Sequence, residues 1–239
     1  MKVATWNVNS LRVRLPHVIA WLQREQPDIL ALQETKLKDE DFPVREFEAL
    51  GYFSVFSGQA SYNGVAIVAR QTPEFTSSEI VGLEDAQRRV LGANFGDLRL
   101  WNLYVPNGEA IDSEKYQYKL GWLAALRAHL AAELARHSRL LVVGDFNIAP
   151  EDRDVYDPVA WEGHVLCSPA ERAALAELKK LGLEDLFRRF EQPERSYSWY
   201  DYRAGAFRRN LGLRIDLMLG SAQLAQTCMD VRIDLEPRR

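Results

Sequence analysis

Short apolar runs of strand length alternate along this chain with stretches whose apolar residues recur every three or four positions. "KVATWN" (2–7), "DILALQE" (28–34), "GVAIVAR" (64–70), "LRLWNLYVP" (98–106), "RLLVVGDFN" (139–147) and "LRIDLML" (213–219) are β-rich and bounded by turn formers, so each reads as a strand. Gly96-Asp97, ahead of "LRLWNLYV", predicts a tight hairpin. Helical spacing appears at Leu15, Val18, Ile19 and Leu22, with Pro16 placed in the first turn, and again at Leu123, Leu126, Leu130 and Leu134. Ser168 and Glu171 have capping-box spacing ahead of Leu175, Leu178 and Leu181, and Gly182 closes that helix. The order mixes βα alternation with consecutive strands, which fits sheets covered by helices better than one doubly wound sheet. No Pro/Gly/Ser-rich stretch longer than a loop interrupts the pattern, so a single domain over residues 1–239 is expected.

Composition narrows the class. Hydrophobic residues make up 47% of the chain, enough for a substantial core. The amino terminus lacks the apolar centre of a signal peptide, no run approaches the length of a membrane span, and Cys167 and Cys228 form neither a disulfide framework nor a metal spacing. A soluble cytoplasmic protein with no membrane partner is expected. The net charge of -4 argues against nonspecific coating of nucleic acid. Yet Arg195, Arg203, Arg208, Arg209 and Arg214 are set against only Asp201 in the same segment; on charge alone, a local basic face and a solvated loop fit about equally.

Several strand runs end on polar side chains. Asn7, Glu34, Asp145 and Asn147 stand at such ends, and Asp216 lies inside "LRIDLML". Loops at the carboxyl ends of strands are where a rigid sheet aims functional groups at one point. Each residue also has a plain structural reading. Asp and Asn after a strand serve as turn residues, Glu34 suits a loop or a helix start, and Asp216, flanked by Ile215 and Leu217, needs a partner if buried, for which Arg214 is a candidate. If Glu34, Asp145 and Asp216 converge, their charges either rise in pKa or hold a cation. Oxygen donors without a His or Cys pair favour a hard ion such as Mg2+ over Zn2+. A carboxylate site of that kind suits phosphate-ester chemistry.

At these residues the sequence resembles a known family. "WNVNS" (6–10), "LQETK" (32–36), "YNGVAI" (62–67), "YVPNG" (104–108), "GDFNIAP" (144–150), "SWYDYR" (198–203) and "NLGLRIDLML" (210–219) resemble, in order, the motif set of the bacterial exonuclease III family of the endonuclease/exonuclease/phosphatase superfamily. The resemblance runs from residue 2 to about 233 and takes in "DVYDPVAW" and "SPAERAAL". One such block is weak; the ordered set is specific. It implies an α/β fold, a four-layer α/β sandwich with two mixed sheets face to face and helices outside. It also implies DNA repair: Mg2+-dependent hydrolysis of DNA phosphodiesters, with Mn2+ able to substitute, as abasic-site endonuclease and 3′–5′ exonuclease with 3′-end repair. The expected partner is double-stranded DNA with abasic sites, nicks or 3′ ends, bound by a cytoplasmic, nucleoid-associated monomer.

Carried over residue by residue, the resemblance makes Glu34 the principal metal ligand, with Asn7 beside it, Asn9 within reach, and Asp145 and Asn147 also in the metal set. Asp145 orients and deprotonates the attacking water, and Asn147 and Tyr104 donate to the phosphate oxygens. Asn107 contacts the phosphate, Lys36 assists from the rim, and Trp199 lies against the DNA with Arg203 close by. These residue types suit the task, because carboxamides donate without adding negative charge and a cation with fixed donors stabilises the charge built up by in-line attack. Alternation puts about half of Tyr197, Trp199, Tyr200 and Tyr202 in the core, and Trp199 is taken as the exposed ring.

The resemblance falters at the carboxyl end. Family members continue into a Ser-Asp-His segment and a final strand, whereas this chain ends "DVRIDLEPRR", contains no Asp-His pair, and carries His17, His129, His137 and His164 elsewhere. The expectation is a domain truncated at its carboxyl end, lacking its final strand and the catalytic histidine that Asp216, itself in the catalytic set, would orient. Loss of such a phosphate donor costs about two to four orders of magnitude in rate, and a missing strand leaves an open sheet edge. Two other readings compete with the nuclease: a non-catalytic binder of damaged or nicked DNA, and a superfamily phosphatase or phosphodiesterase acting on small molecules or lipids. "SWYDYR" and its arginines suit a DNA groove rather than a closed headgroup pocket.

Overall fold

The computed structural model describes residues 1–203 and 205–238. The chain clusters into two compact units, one of Met1–Tyr104 with Arg139–Asp145, the other of Val105–Ser138 with the residues from Phe146 onward.

The first unit holds β1 (Val3–Asn7), α1 (Leu11–Glu25), β2 (Ile29–Gln33), α2 (Val44–Glu48), β3 (Phe53–Ser57), β4 (Val65–Ala69), β5 (Thr76–Ser77), β6 (Val90–Phe95), β7 (Leu98–Tyr104) and β8 (Leu140–Asp145). One sheet has the order β1-β2-β4-β3, with β1 and β2 parallel and the other pairs antiparallel. In the other, β5, β6 and β7 are antiparallel neighbours and β8 runs parallel to β7. Both sheets are therefore mixed. Alternation along β2 sends Leu30 and Leu32 into a core with Leu11, Val18 and Leu22 of α1 and Phe47 of α2, so helices cover that face. The opposite face meets the second sheet. There the fully buried Asn102 of β7 donates to the Leu32 and Ala66 carbonyls at 2.9 and 2.8 Å and accepts from Gln33 Nε2 at 2.7 Å. A buried carboxamide left unbonded would be costly; bonded on both sides, it pins the sheets in register.

The second unit holds α3 (Glu114–Leu134), α4 (Pro158–Trp161), α5 (Pro169–Lys179), β9 (Leu183–Asp185), β10 (Trp199–Tyr200), β11 (Gly212–Leu213), β12 (Asp216–Ser221) and α6 (Ala222–Thr227). β12 pairs antiparallel with β9, and β10 with β11. The expected capping box opens α5, with Ser168 and Glu171 bonding each other's backbone N–H.

The structure departs from the local sequence pattern in three places. "LRIDLML" is not one strand: β11 ends at Leu213 and β12 begins at Asp216. Arg214 turns away to donate its backbone N–H to Asp154, and the Ile215 and Asp216 amides bond Ser198 Oγ. Arg214 also leaves the expected basic stretch, because it is buried with its guanidinium on Asp154 and Asp185 rather than on Asp216. Pro16 does not sit in the first turn of its helix, which starts at Leu11; it is exposed, so the missing N–H falls on the water-facing side. The Gly96-Asp97 hairpin between β6 and β7 is as expected.

Candidate active site

The parallel pairing of β1 with β2, and of β7 with β8, delivers polar residues from matching strand ends. Asn7 is the last residue of β1, in register with Gln33, and Glu34 follows at once. Tyr104 and Asp145 are register partners at the ends of β7 and β8. The Asn7 carboxamide joins these ends: its Nδ2 donates to Glu34 Oε1 and to Asp145 Oδ2, each at 2.8 Å. Its Oδ1 accepts the Asn9 backbone N–H at 3.0 Å.

Backbone conformation sets the directions. Glu34, Lys36, Asn9 and Asn63 adopt positive φ of 52°, 54°, 42° and 52°, uncommon for residues with a Cβ. Interloop bonds hold them there: Ser10 N–H to the Glu34 carbonyl, Leu11 to Thr35, Thr35 to Gly64 and Lys36 to Asn63. Gly64, at φ 86°, is needed because a Cβ would lie 2.2 Å from Thr35 Oγ1. Gly144, immediately before Asp145, has no room either: a Cβ there would sit 1.9 Å from the Leu103 carbonyl oxygen.

Asp145 is buried at 3% exposure, whereas Glu34 is half-buried. Burial pushes the Tyr104 phenol far above its ordinary pKa, and the negative charges of Glu34 and then Asp145 push it further, against the pull of Arg89. Its hydrogen bond to Glu34 acts the same way, so this hydroxyl remains a donor. Arg89 stacks on the Tyr104 ring at 4.8 Å and donates to the Tyr104 carbonyl at 3.2 Å, which fixes the ring. Lys36 stands closer to the cluster than the expected rim position: its ammonium pairs with Glu34 Oε2 at 3.0 Å and donates to Asn9.

The second unit carries the remaining candidates. The exposed Asn107 donates from Nδ2 to Asn147 Oδ1 at 3.1 Å, and Asn147 Nδ2 donates to the Val105 carbonyl at 2.9 Å. Asn147 is buried and left-handed, at φ 49°. Asp216 is half-buried at the start of β12, its backbone N–H on Ser198 Oγ. Tyr197 and Tyr200 are core, as half of that aromatic set should be, but Trp199 is only half-buried, packed against the cluster of Ala149, Val155 and Leu213. The more exposed ring is Tyr202, at 66%, next to the exposed Arg203.

Arg89, Asn102 and Lys119 are not among the residues expected from the sequence. Arg89 lies in a loop with no pattern, and Asn102 looks like any strand residue. Lys119 did carry a signal, a lysine on the stripe of Tyr116, Trp122, Leu123 and Leu126. Among the described residues no group of three or more His, Cys, Asp or Glu is arranged to hold a metal ion. The acids that Asn7 joins are Glu34 and Asp145 alone.

The model of the endonuclease/exonuclease/phosphatase family matches residues 4–238. The chain belongs to that family. Exodeoxyribonuclease III of Haemophilus influenzae is 38% identical over 251 residues, covering 100% of this chain and 94% of that protein. The exodeoxyribonuclease of Bacillus subtilis is 32% identical over 241 residues, covering 99% and 94%. Among solved structures, the 3′ phosphatase NExo from Neisseria bound to product DNA hairpin superposes with a TM-score of 0.98 at 47% identity, covering 100% of this chain and 93% of that one. An AP endonuclease from Archaeoglobus fulgidus gives 0.95 at 41%, with the same coverage. The mixed α/β class with two mixed sheets is that of these neighbours. The chain is a phosphodiesterase of the DNA-repair nuclease kind, in a metal-dependent nuclease family, and its homologues act on DNA. Among the described residues no helix is long and apolar enough to cross a membrane.

Proposed function

We propose that the chain hydrolyses DNA phosphodiesters with Mg2+, or Mn2+ in its place, incising at abasic sites and removing nucleotides or blocking groups from 3′ ends, as a monomer on double-stranded DNA. The observation that carries this is the joined pair Glu34 and Asp145, bridged by the Asn7 carboxamide beside a protonated phenol. The donor set fits a hard divalent cation: carboxylate and carboxamide oxygens, without thiol or imidazole, few enough to leave coordination positions for water and phosphate. Glu34, Asn7 and Asp145 would hold the ion, with Asn147 assigned to the same set by resemblance. When bound, it supplies Lewis-acid neutralisation of the charge that gathers on the phosphate.

The chain's own groups do the rest. Asp145, fixed at the end of β8, accepts the proton of the attacking water. Tyr104 keeps its proton and offers it as a hydrogen bond to a non-bridging oxygen. Asn107 and Asn147 supply further neutral donors, and Asp216 is assigned to the catalytic set by resemblance alone. Trp199 and Tyr202 offer rings to bases, Arg203 a guanidinium to phosphate, and Lys36 balances charge at Glu34.

The test pairs a duplex carrying one abasic site with a duplex ending in a 3′-phosphate, each with Mg2+ or with EDTA, beside inositol phosphates as competing substrates. Metal-dependent turnover of the DNAs, and its loss in Asp145→Asn, is the expected result. Turnover of inositol phosphates alone, or binding of DNA without any product, would overturn the proposal in favour of the small-molecule or the non-catalytic reading.

A further inference from the structure

The most enclosed charge pair in the second unit is not one of the expected site residues. Lys119 of α3 and Glu171 of α5 are both fully buried and meet at 2.5 Å. Isolated, either charge would be costly in such a place, and a close ion pair alone rarely repays the desolvation. Here every donor of the ammonium has a use. Besides Glu171 Oε1, Lys119 Nζ donates to the Asn107 carbonyl at 3.0 Å and to the Asn147 carbonyl at 2.7 Å. Glu171 in turn accepts the Leu166 and Ser168 N–H groups, each at 3.1 Å, and the Ser168 hydroxyl at 2.6 Å. Tyr116, one turn before Lys119, meets that hydroxyl at 2.6 Å.

We infer that Lys119 is a positioning residue for the reaction, and the inference rests on the nuclease reading above. One ammonium ties the backbones of the loops that carry Asn107 and Asn147 to the capped start of α5. The side chains of those asparagines bond each other at 3.1 Å, so tying both carbonyls fixes the rotation and spacing of the carboxamide pair. Gly108 allows the approach: it sits at φ 96°, and a Cβ there would press on Lys119 Cδ at 3.2 Å. A carbonyl needs a donor and a buried carboxylate needs a countercharge; Lys119 answers both with one group, which no neutral side chain of that length does.

The experiment compares three variants in the full chain, each checked by melting: Lys119→Met/Glu171→Gln, which removes both charges, Lys119→Gln, which keeps an amide donor, and Glu171→Gln alone. On an abasic duplex with Mg2+, the double variant should lose about 10- to 100-fold in kcat with KM little changed, the loss expected when donors are displaced by about 1 Å. Lys119→Gln should lose less. Glu171→Gln should melt lower but keep its kcat, because the ammonium still reaches the carbonyls. The side-chain carboxamide NMR signals of Asn107 and Asn147 should move and broaden in the two Lys119 variants and stay in Glu171→Gln. A folded double variant with wild-type kcat and unmoved carboxamide signals would overturn the inference, as would equal kcat losses in all three. If the unmodified chain cleaves no DNA, the nuclease reading fails by itself, while the carboxamide signals still decide whether Lys119 holds the pair.

Discussion

Gly144→Ala probes how far the geometry of β8 governs the chemistry at its end. A Cβ at this position would fall 1.9 Å from the Leu103 carbonyl oxygen and 2.9 Å from its carbon, and φ there is 137°. The obstacle is the backbone of β7, which cannot rotate aside as a side chain would. Reaching even 3.0 Å from that oxygen requires about 1 Å of separation between strands that are register partners at this residue. The unfavourable φ costs about 1–3 kcal/mol and the displaced ladder about as much again, so a loss of about 2–6 kcal/mol is expected. For a chain of this length that is about 10 °C in Tm. Asp145 is the next residue, so the shift reaches it directly, and incision of an abasic duplex should fall about 100-fold even where the variant is fully folded. Urea denaturation followed by circular dichroism, with single-turnover incision in the cold, measures both quantities. A variant within about 1 kcal/mol of the parent and equally active would refute the claim that the close approach of β7 and β8 sets Asp145 in place.

Further perturbations separate the roles of the other groups. Tyr104→Phe should lower kcat by about two to three orders of magnitude while leaving DNA affinity nearly unchanged in a binding titration, because only a charge-developing contact is lost. Asn7→Asp places a third carboxylate where an amide now bridges two; melting in EDTA should fall, and added Mg2+ should raise the Tm of this variant more than that of the parent. Asn102→Ala should cost about 2–4 kcal/mol in urea unfolding, since it strands the bonds that cross between the sheets. Burial pushes the Cys167 thiol up to about 11 from an ordinary 9, so the folded state holds that proton more tightly than the unfolded state. The resulting stability is complete below pH 9 and is lost as pH rises towards 11; Cys167→Ala should flatten that alkaline limb of an unfolding profile.

The parts of the site that were legible in the sequence are those where a short-range signal and a chemical requirement coincide. Asn7, Glu34 and Asp145 sit where apolar runs stop, and strand ends are where side chains can be aimed, so their meeting could be read without coordinates. What could not be read depends on partners distant in sequence. The Arg214 guanidinium bonds Asp154, 60 residues away, and that diversion splits a run whose pattern is indistinguishable from one strand. Lys36 turns towards Glu34 because left-handed residues redirect the loop, a property the letters "LQETK" do not carry. Trp199 and Tyr202 exchange exposure because β10 is only two residues long, so alternation has no length over which to assert itself. Lys119 was within reach, as a charge on an apolar helical stripe, and its meaning appeared only with the carbonyls around it.

The joined pair Glu34 and Asp145 is the centre of the account, and a titration of Mg2+ against single-turnover incision of an abasic duplex tests it most directly, run on the parent chain and on Glu34→Gln. The parent should show no incision in EDTA and a rate that saturates with Mg2+, and Glu34→Gln should need at least about tenfold more Mg2+ to reach a lower plateau. Incision that persists in EDTA, or superimposable Mg2+ curves for the two proteins, would contradict the account.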